Sequence, residues 1–176
     1  MQSWMAGSSL VKPGHDEKET LLSSTAFKDR YFEDYIPGSV FEYGEIRVSE
    51  AEILEFAHRF DPQDMHVDPE AARRGRFGGL IASGWHTGAM MMRLLADNFL
   101  PKKASLGSPG IDELRWSHPV RPGDVLRIRV TVLEAMPSRS KPDRGMVRTL
   151  VEVLNQDSDV VMSLKPMNII ARRSAL

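Results

Sequence analysis

The chain has no cysteine, so disulfides and a thiolate zinc site are excluded, which fits a reducing compartment. It has no excess of charge of one sign: 23 Lys and Arg stand against 24 Asp and Glu, a formal net charge of -1. No basic stripe breaks that balance, and neither nucleic acid nor an anionic membrane is expected as a partner. No apolar run approaches the roughly 18 to 20 residues that cross a bilayer. The first twenty residues, MQSWMAGSSLVKPGHDEKET, lack the charged-then-apolar order of a secretory signal. Recognisable chemical motifs are also scarce. HExxH and HxH spacings are missing, so no metal is expected; GxSxG, a P-loop and GxGxxG are missing too.

What is present is a chain of 176 residues, 41% hydrophobic and 27% charged, the size and balance of one globular domain. Residues 1–25 are rich in Ser, Gly and charge and are read as a flexible N-terminal arm, leaving 26–176 as the folded domain. A cytoplasmic protein is expected.

Within the domain, alternation from Val40 to Val48 predicts a strand. Ser49 with Glu52 forms a capping-box signature, and Ile53, Phe56, Ala57 and Phe60 follow at helical spacing, so a short helix runs over 50–60 until Pro62 stops it. Residues 69–75 accommodate one helical turn. LIASGWHTGAMMMRLLADNFLP then predicts one mostly buried helix of about 17 to 20 residues, beginning near Leu80 and ended by Pro101. After it the period changes to two. Strands are predicted over 111–117, 125–134, 146–155 and 160–170, joined by short polar connections. One long helix ahead of an antiparallel sheet is an α+β arrangement.

The five histidines sort by position. His15 lies in the arm, His58 on the exposed side of the short helix, and His118 before Pro119 in a turn, where a structural role is expected. His66 and His86 remain. His66 stands in FDPQDMHVDP, five residues after Asp61, on a loop leaving the short helix. A carboxylate and an imidazole brought to one water molecule form an acid/base pair, since imidazole titrates near neutrality. The spacing alone equally describes a solvated turn. Ser83-Gly84 is the other oddity. If it starts the long helix, Ser83 caps it and Gly84 lets a ligand carbonyl approach free N–H groups. The alternative is a glycine needed for close packing.

The segment EILEFAHRFDPQDMHVDPEAARRGRFGGLIASGWHT resembles the MaoC-like dehydratases, relatives of the (R)-specific enoyl-CoA hydratases, which have the hotdog fold. Their pattern is Asp-x-Asn-Pro-x-His-x-Asp-Pro, and Asp61, His66, Asp68 and Pro69 match it. Gln63 stands in place of the Asn, Asp64 of the Pro, and Ser83 of a frequent His before Gly84. GIDELRWSHPVRPGDVLRIRVTV resembles the family's downstream strand, turn and following strand. The resemblance implies an antiparallel sheet wrapped around one long central helix, a homodimer or higher homo-oligomer, and an acyl-CoA thioester substrate with no separate cofactor. It implies that Asp61 and His66 activate water for addition to a 2-enoyl-CoA, or run the reverse dehydration. Gly84 is implied as the donor to the thioester carbonyl, with Ser83, Trp85 and Gln63 as further substrate-binding positions. Arg73, Arg74 and Arg76 are candidates for the CoA phosphates. A thioesterase on the same fold and a non-catalytic acyl-CoA-binding subunit are the alternatives.

Overall fold

The structure is a computed structural model that describes residues 25–173; the arm assigned to residues 1–25 lies, but for Thr25, outside the described residues. Two short 3-10 turns, Phe27–Asp29 and Phe32–Asp34, precede strand β1 (Val40–Arg47). Helices α1 (Glu50–Phe60), α2 (Asp64–Val67), α3 (Pro69–Arg74) and α4 (Gly84–Asn98) follow in a block. Strands β2 (Gly110–Trp116), β3 (Val125–Pro137), β4 (Arg144–Leu154) and β5 (Val160–Ala171) complete the chain. The five strands form one antiparallel sheet in the order β1-β3-β4-β5-β2. This is the hotdog arrangement, a sheet curled over one long helix.

The period-two pattern explains the layering. On β3, Leu126, Ile128, Val130 and Val132 are buried, as are Val147, Thr149, Val151 and Val153 on β4. These alternate residues form one face, which packs against Met90, Met91, Leu94 and Leu95 of α4 in a common core. The opposite face is polar, and cross-strand pairs such as Arg129 with Glu152 (2.9 Å) lie on it. Contact between α4 and β1 is close enough to require a glycine: Gly44 has φ +69, and a Cβ there would collide with the Leu94 side chain.

Two elements differ from their sequence reading. The central helix begins at Gly84, not near Leu80, and its 15 residues make a rod of about 22 Å. Residues 80–83 are extended instead, with Ile81 N–H bonded to Met65 O (3.2 Å) and Ala82 N–H to Val120 O (2.8 Å). Leu80, Ile81 and Ala82 belong to a buried segment held between α2 and the loop at Val120, and their apolarity mimics a helix start. Residues 64–67, read as loop, form a helical turn. The capping box at Ser49 and Glu52 is present as predicted, with Glu52 N–H bonded to Ser49 Oγ and the Ser49 N–H to the Glu52 carboxylate.

Candidate active site

The site is assembled where α1 ends. Asp61 is the residue that closes α1, its N–H bonded to Ala57 O (2.9 Å), and Pro62 prevents another turn. The chain then folds into α2, which carries His66 inward until only 5% of it is exposed. His66 Nδ1 lies 2.8 Å from the carbonyl oxygen of Ile81. A carbonyl only accepts, so Nδ1 bears the hydrogen and Nε2 is turned toward Asp61, 3.6 Å from its Oδ2. The extended 80–83 segment thus does two things: it sets the His66 tautomer through Ile81, and it delivers Ser83 to Asp61.

Both oxygens of the Asp61 carboxylate receive hydrogen bonds. Ser83 Oγ donates to Oδ2 at 2.6 Å and Gln63 Nε2 to Oδ1 at 2.7 Å. The bond from Ser83, then that from Gln63, hold the Asp61 carboxyl below the usual carboxylate range; they outweigh its partial burial, and His66 adds a further pull in the same direction. Ser83 also caps α4, its Oγ accepting from Trp85 N–H at 3.2 Å. One hydroxyl therefore donates to the carboxylate and accepts from the helix.

Gly84 opens α4, and among the described residues its N–H has no hydrogen-bond partner. Gly84 lines the same cleft as Asp61 and His66, a space of about 440 Å³ whose other walls include Phe77, Trp85, Trp116 and His118. That volume lies in the usual range for small-molecule sites. The packing reading of Gly84 holds. A Cβ at this position would sit 2.5 Å from Cε2 of Trp116, so glycine is needed for packing at this point of the cleft wall.

The remaining candidates are distributed as follows. Gln63 and Ser83, implied as substrate-binding, are engaged with Asp61. Trp85 is 63% exposed and stands edge-on to Trp116, with ring centroids 5.4 Å apart. Asp68 caps α3 through the Glu70 and Ala71 N–H groups and is not brought to the cleft lining. Arg73 and Arg74 pair with Glu70 on an exposed face, at 3.1 and 3.5 Å, and Arg76 is exposed beside them. His118 has the structural bond expected of it, Nδ1 to Val160 O at 3.0 Å, yet its ring also lines the cleft. His86 is buried away from the pair, stacked on Phe56 at 4.8 Å. Burial pushes its pKa down against the attraction of Glu52. Trp116 and the Ile81 carbonyl were not found by sequence reasoning. A tryptophan at the end of an edge strand was a usable signal; a backbone carbonyl leaves none.

With that geometry in place, the comparisons with known proteins decide the lineage. Residues 34–155 match the MaoC like domain. The chain belongs to the MaoC-like dehydratase family. A solved structure, the MaoC-like dehydratase from Rhodospirillum rubrum, is 44% identical and superposes with a TM-score of 0.77 over 82% of this chain and 98% of that one. YdeM of Bacillus subtilis strain 168, a protein of uncharacterised activity, is 35% identical over 124 residues, 70% of this chain and 86% of its own. The 3-hydroxyacyl-thioester dehydratase Z of Mycobacterium tuberculosis strain H37Rv is 31% identical over 110 residues, 61% of this chain and 73% of its own. Membership in the MaoC-like family agrees with both the fold and the pattern carried by Asp61, His66, Asp68 and Pro69.

Proposed function

We propose that the protein adds water across the double bond of a 2-enoyl-CoA to give a 3-hydroxyacyl-CoA, or runs the reverse dehydration. The observation that carries this reading is the approach of Asp61 Oδ2 and His66 Nε2 to 3.6 Å on the wall of the cleft. That separation exceeds a direct hydrogen bond and suits two acceptors that share the two hydrogens of one water. The water oxygen is then free to aim a lone pair at C3 of the enoyl group. Its attack transfers one proton to the Asp61–His66 pair and moves the electron pair of the double bond onto the thioester oxygen. The pair returns that proton to C2, and the thioester carbonyl re-forms. The Gly84 N–H, reinforced by the positive end of α4, stabilises the charge on oxygen while it exists. The thioester is itself the electron sink, so the reaction as written uses no further cofactor.

The relative described as a 3-hydroxyacyl-thioester dehydratase supports this class of reaction. Support for a homodimer comes from the open edge of β2 and the apolar side chains exposed beside it. The test is a hydration assay that follows loss of the conjugated enoyl absorbance while free thiol is measured in parallel. Asp61→Asn and His66→Gln are each expected to lower kcat by about 10² to 10⁴ with the fold retained. Thiol release in place of hydration would identify a thioesterase, and binding without turnover a non-catalytic subunit. Near-full hydratase activity in both variants would remove the pair from the mechanism.

A further inference from the structure

The edge strand β2 contains a bulge that changes which way its last residues point. In a regular strand, residues an odd number of positions apart face opposite sides. Ile111 and Trp116 are such a pair, yet both line one groove beside α4 together with Leu114. The reversal occurs at Asp112 and Glu113, which both form ion pairs on the solvent face of the sheet, with Arg148 (2.9 Å) and Lys165 (2.6 Å). The register to β5 shifts between Asp112 and Arg115, and Glu113 has φ 54, in the left-handed region. Inserting one residue in this way is how a bulge re-aims a side chain.

The side chain re-aimed is Trp116, and it lands on Gly84. Its indole Nε1–H donates to Gly84 O at 3.0 Å, and its ring fills the place a Cβ would take. The peptide unit joining Gly84 and Trp85 is therefore held at both its polar atoms: Trp116 bonds its carbonyl, and Ser83 Oγ accepts from its N–H. That same Ser83 hydroxyl donates to Asp61. A single run of contacts, Trp116 to the 84–85 peptide to Ser83 to Asp61, thus fixes Gly84 from its carbonyl side, and the Gly84 N–H, which belongs to the preceding 83–84 peptide, is joined to that run at the Gly84 Cα.

We infer that Trp116 is a positioning residue that sets the direction of the Gly84 N–H toward the thioester carbonyl, so that it acts on kcat and not on substrate affinity. This rests on the hydratase reading above. An end-of-helix peptide without such a hold is free to fray. A donor aimed at the oxygen only as charge develops contributes to the transition state more than to binding.

The test compares wild type, Trp116→Phe, and a protein carrying 3-benzothienylalanine at 116, a near-isostere in which sulfur replaces the indole N–H. Two readouts are taken: steady-state hydration of a short enoyl-CoA, and the infrared carbonyl stretch of a bound, ¹³C-labelled saturated acyl-CoA. Both replacements are expected to lower kcat about tenfold or more with KM within about twofold, a fraction of the 10²-fold or greater loss that accompanies outright removal of an oxyanion donor. The shift of the bound carbonyl to lower frequency should shrink in parallel. Should Trp116→Phe fail to fold, the near-isostere decides. Unchanged kcat with an unchanged carbonyl frequency would overturn the role of Trp116. So would a loss confined to KM. A wild type that hydrates no enoyl-CoA would instead overturn the functional reading, and the carbonyl frequency still reports on Trp116 by itself.

Discussion

Ser83 is the residue on which most of the local chemistry converges. It caps α4, and it is the first cause of the lowered Asp61 pKa. Ser83→Ala removes both contributions, and the two have separate signatures. Loss of the cap costs about 1 kcal/mol, measurable by urea unfolding. Loss of the hydrogen bond lets the Asp61 pKa rise toward its ordinary value, so protonation intrudes at higher pH. The carboxylate is the working form in the proposed reaction. The acid limb of the kcat/KM profile is therefore expected to move upward in Ser83→Ala and to return in Ser83→Thr, which restores a hydroxyl. An acid limb that stays in place would show that Asp61 does not govern it. The sign for stability is the same: a carboxyl depressed in the fold stabilises above its unfolded pKa, and this is lost as pH falls through the folded value. The sequence made Asp61, His66, Ser83 and Gly84 stand out because their side chains or their lack of one are unusual in context. It could not show that Ser83 and Gln63 serve Asp61, since that depends on how the 80–83 segment folds back.

At the scale of elements, the reading of period and caps succeeded wherever a side-chain pattern governs the backbone. α1 with its Ser49 box, and β3, β4 and β5 with their alternation, are the clearest cases. It failed where tertiary hydrogen bonds decide, as in the extended stretch before Gly84, whose N–H groups at Ile81 and Ala82 are taken by Met65 and Val120. In β2 it was right about the element and silent about its bulge. IDELRWS reads as a strand and is one, but a bulge is set by a single backbone angle at Glu113, and glutamate gives no warning of it. Holding a non-glycine residue there costs of order 1 kcal/mol or more. A β-branched residue tolerates it worse. Glu113→Val is accordingly expected to destabilise the fold by about 1–3 kcal/mol and to lower hydration more than its distance from the cleft suggests, because Trp116 loses its aim. Urea unfolding and kcat together check this. A variant as stable and as active as wild type would mean that the bulge is not what directs Trp116.

For the whole molecule, the period change from helix to strands identified the fold class. What remained hidden was which surface stays open. The sheet has β2 at one edge, and beside it stand Trp85, Met92, Ile111 (54% exposed) and Trp116, a run of large apolar side chains on α4 and β2. An edge strand with this company is a template for pairing, and natural monomers usually guard such edges with charge. Asp112 and Glu113 do not serve as guards, because the bulge turns both to the outer face and into ion pairs. A second copy meeting this face would cover the apolar run while extending the sheet. The full chain is thus expected to sediment as a dimer, and Ile111→Lys, which places a charge within the exposed apolar run, to shift it toward monomer. Because Trp85 and Trp116 belong both to this face and to the cleft, the monomeric variant should also lose hydratase activity, with the loss relieved as protein concentration rises. A wild type that sediments as a monomer at assay concentrations would detach the apolar face from assembly.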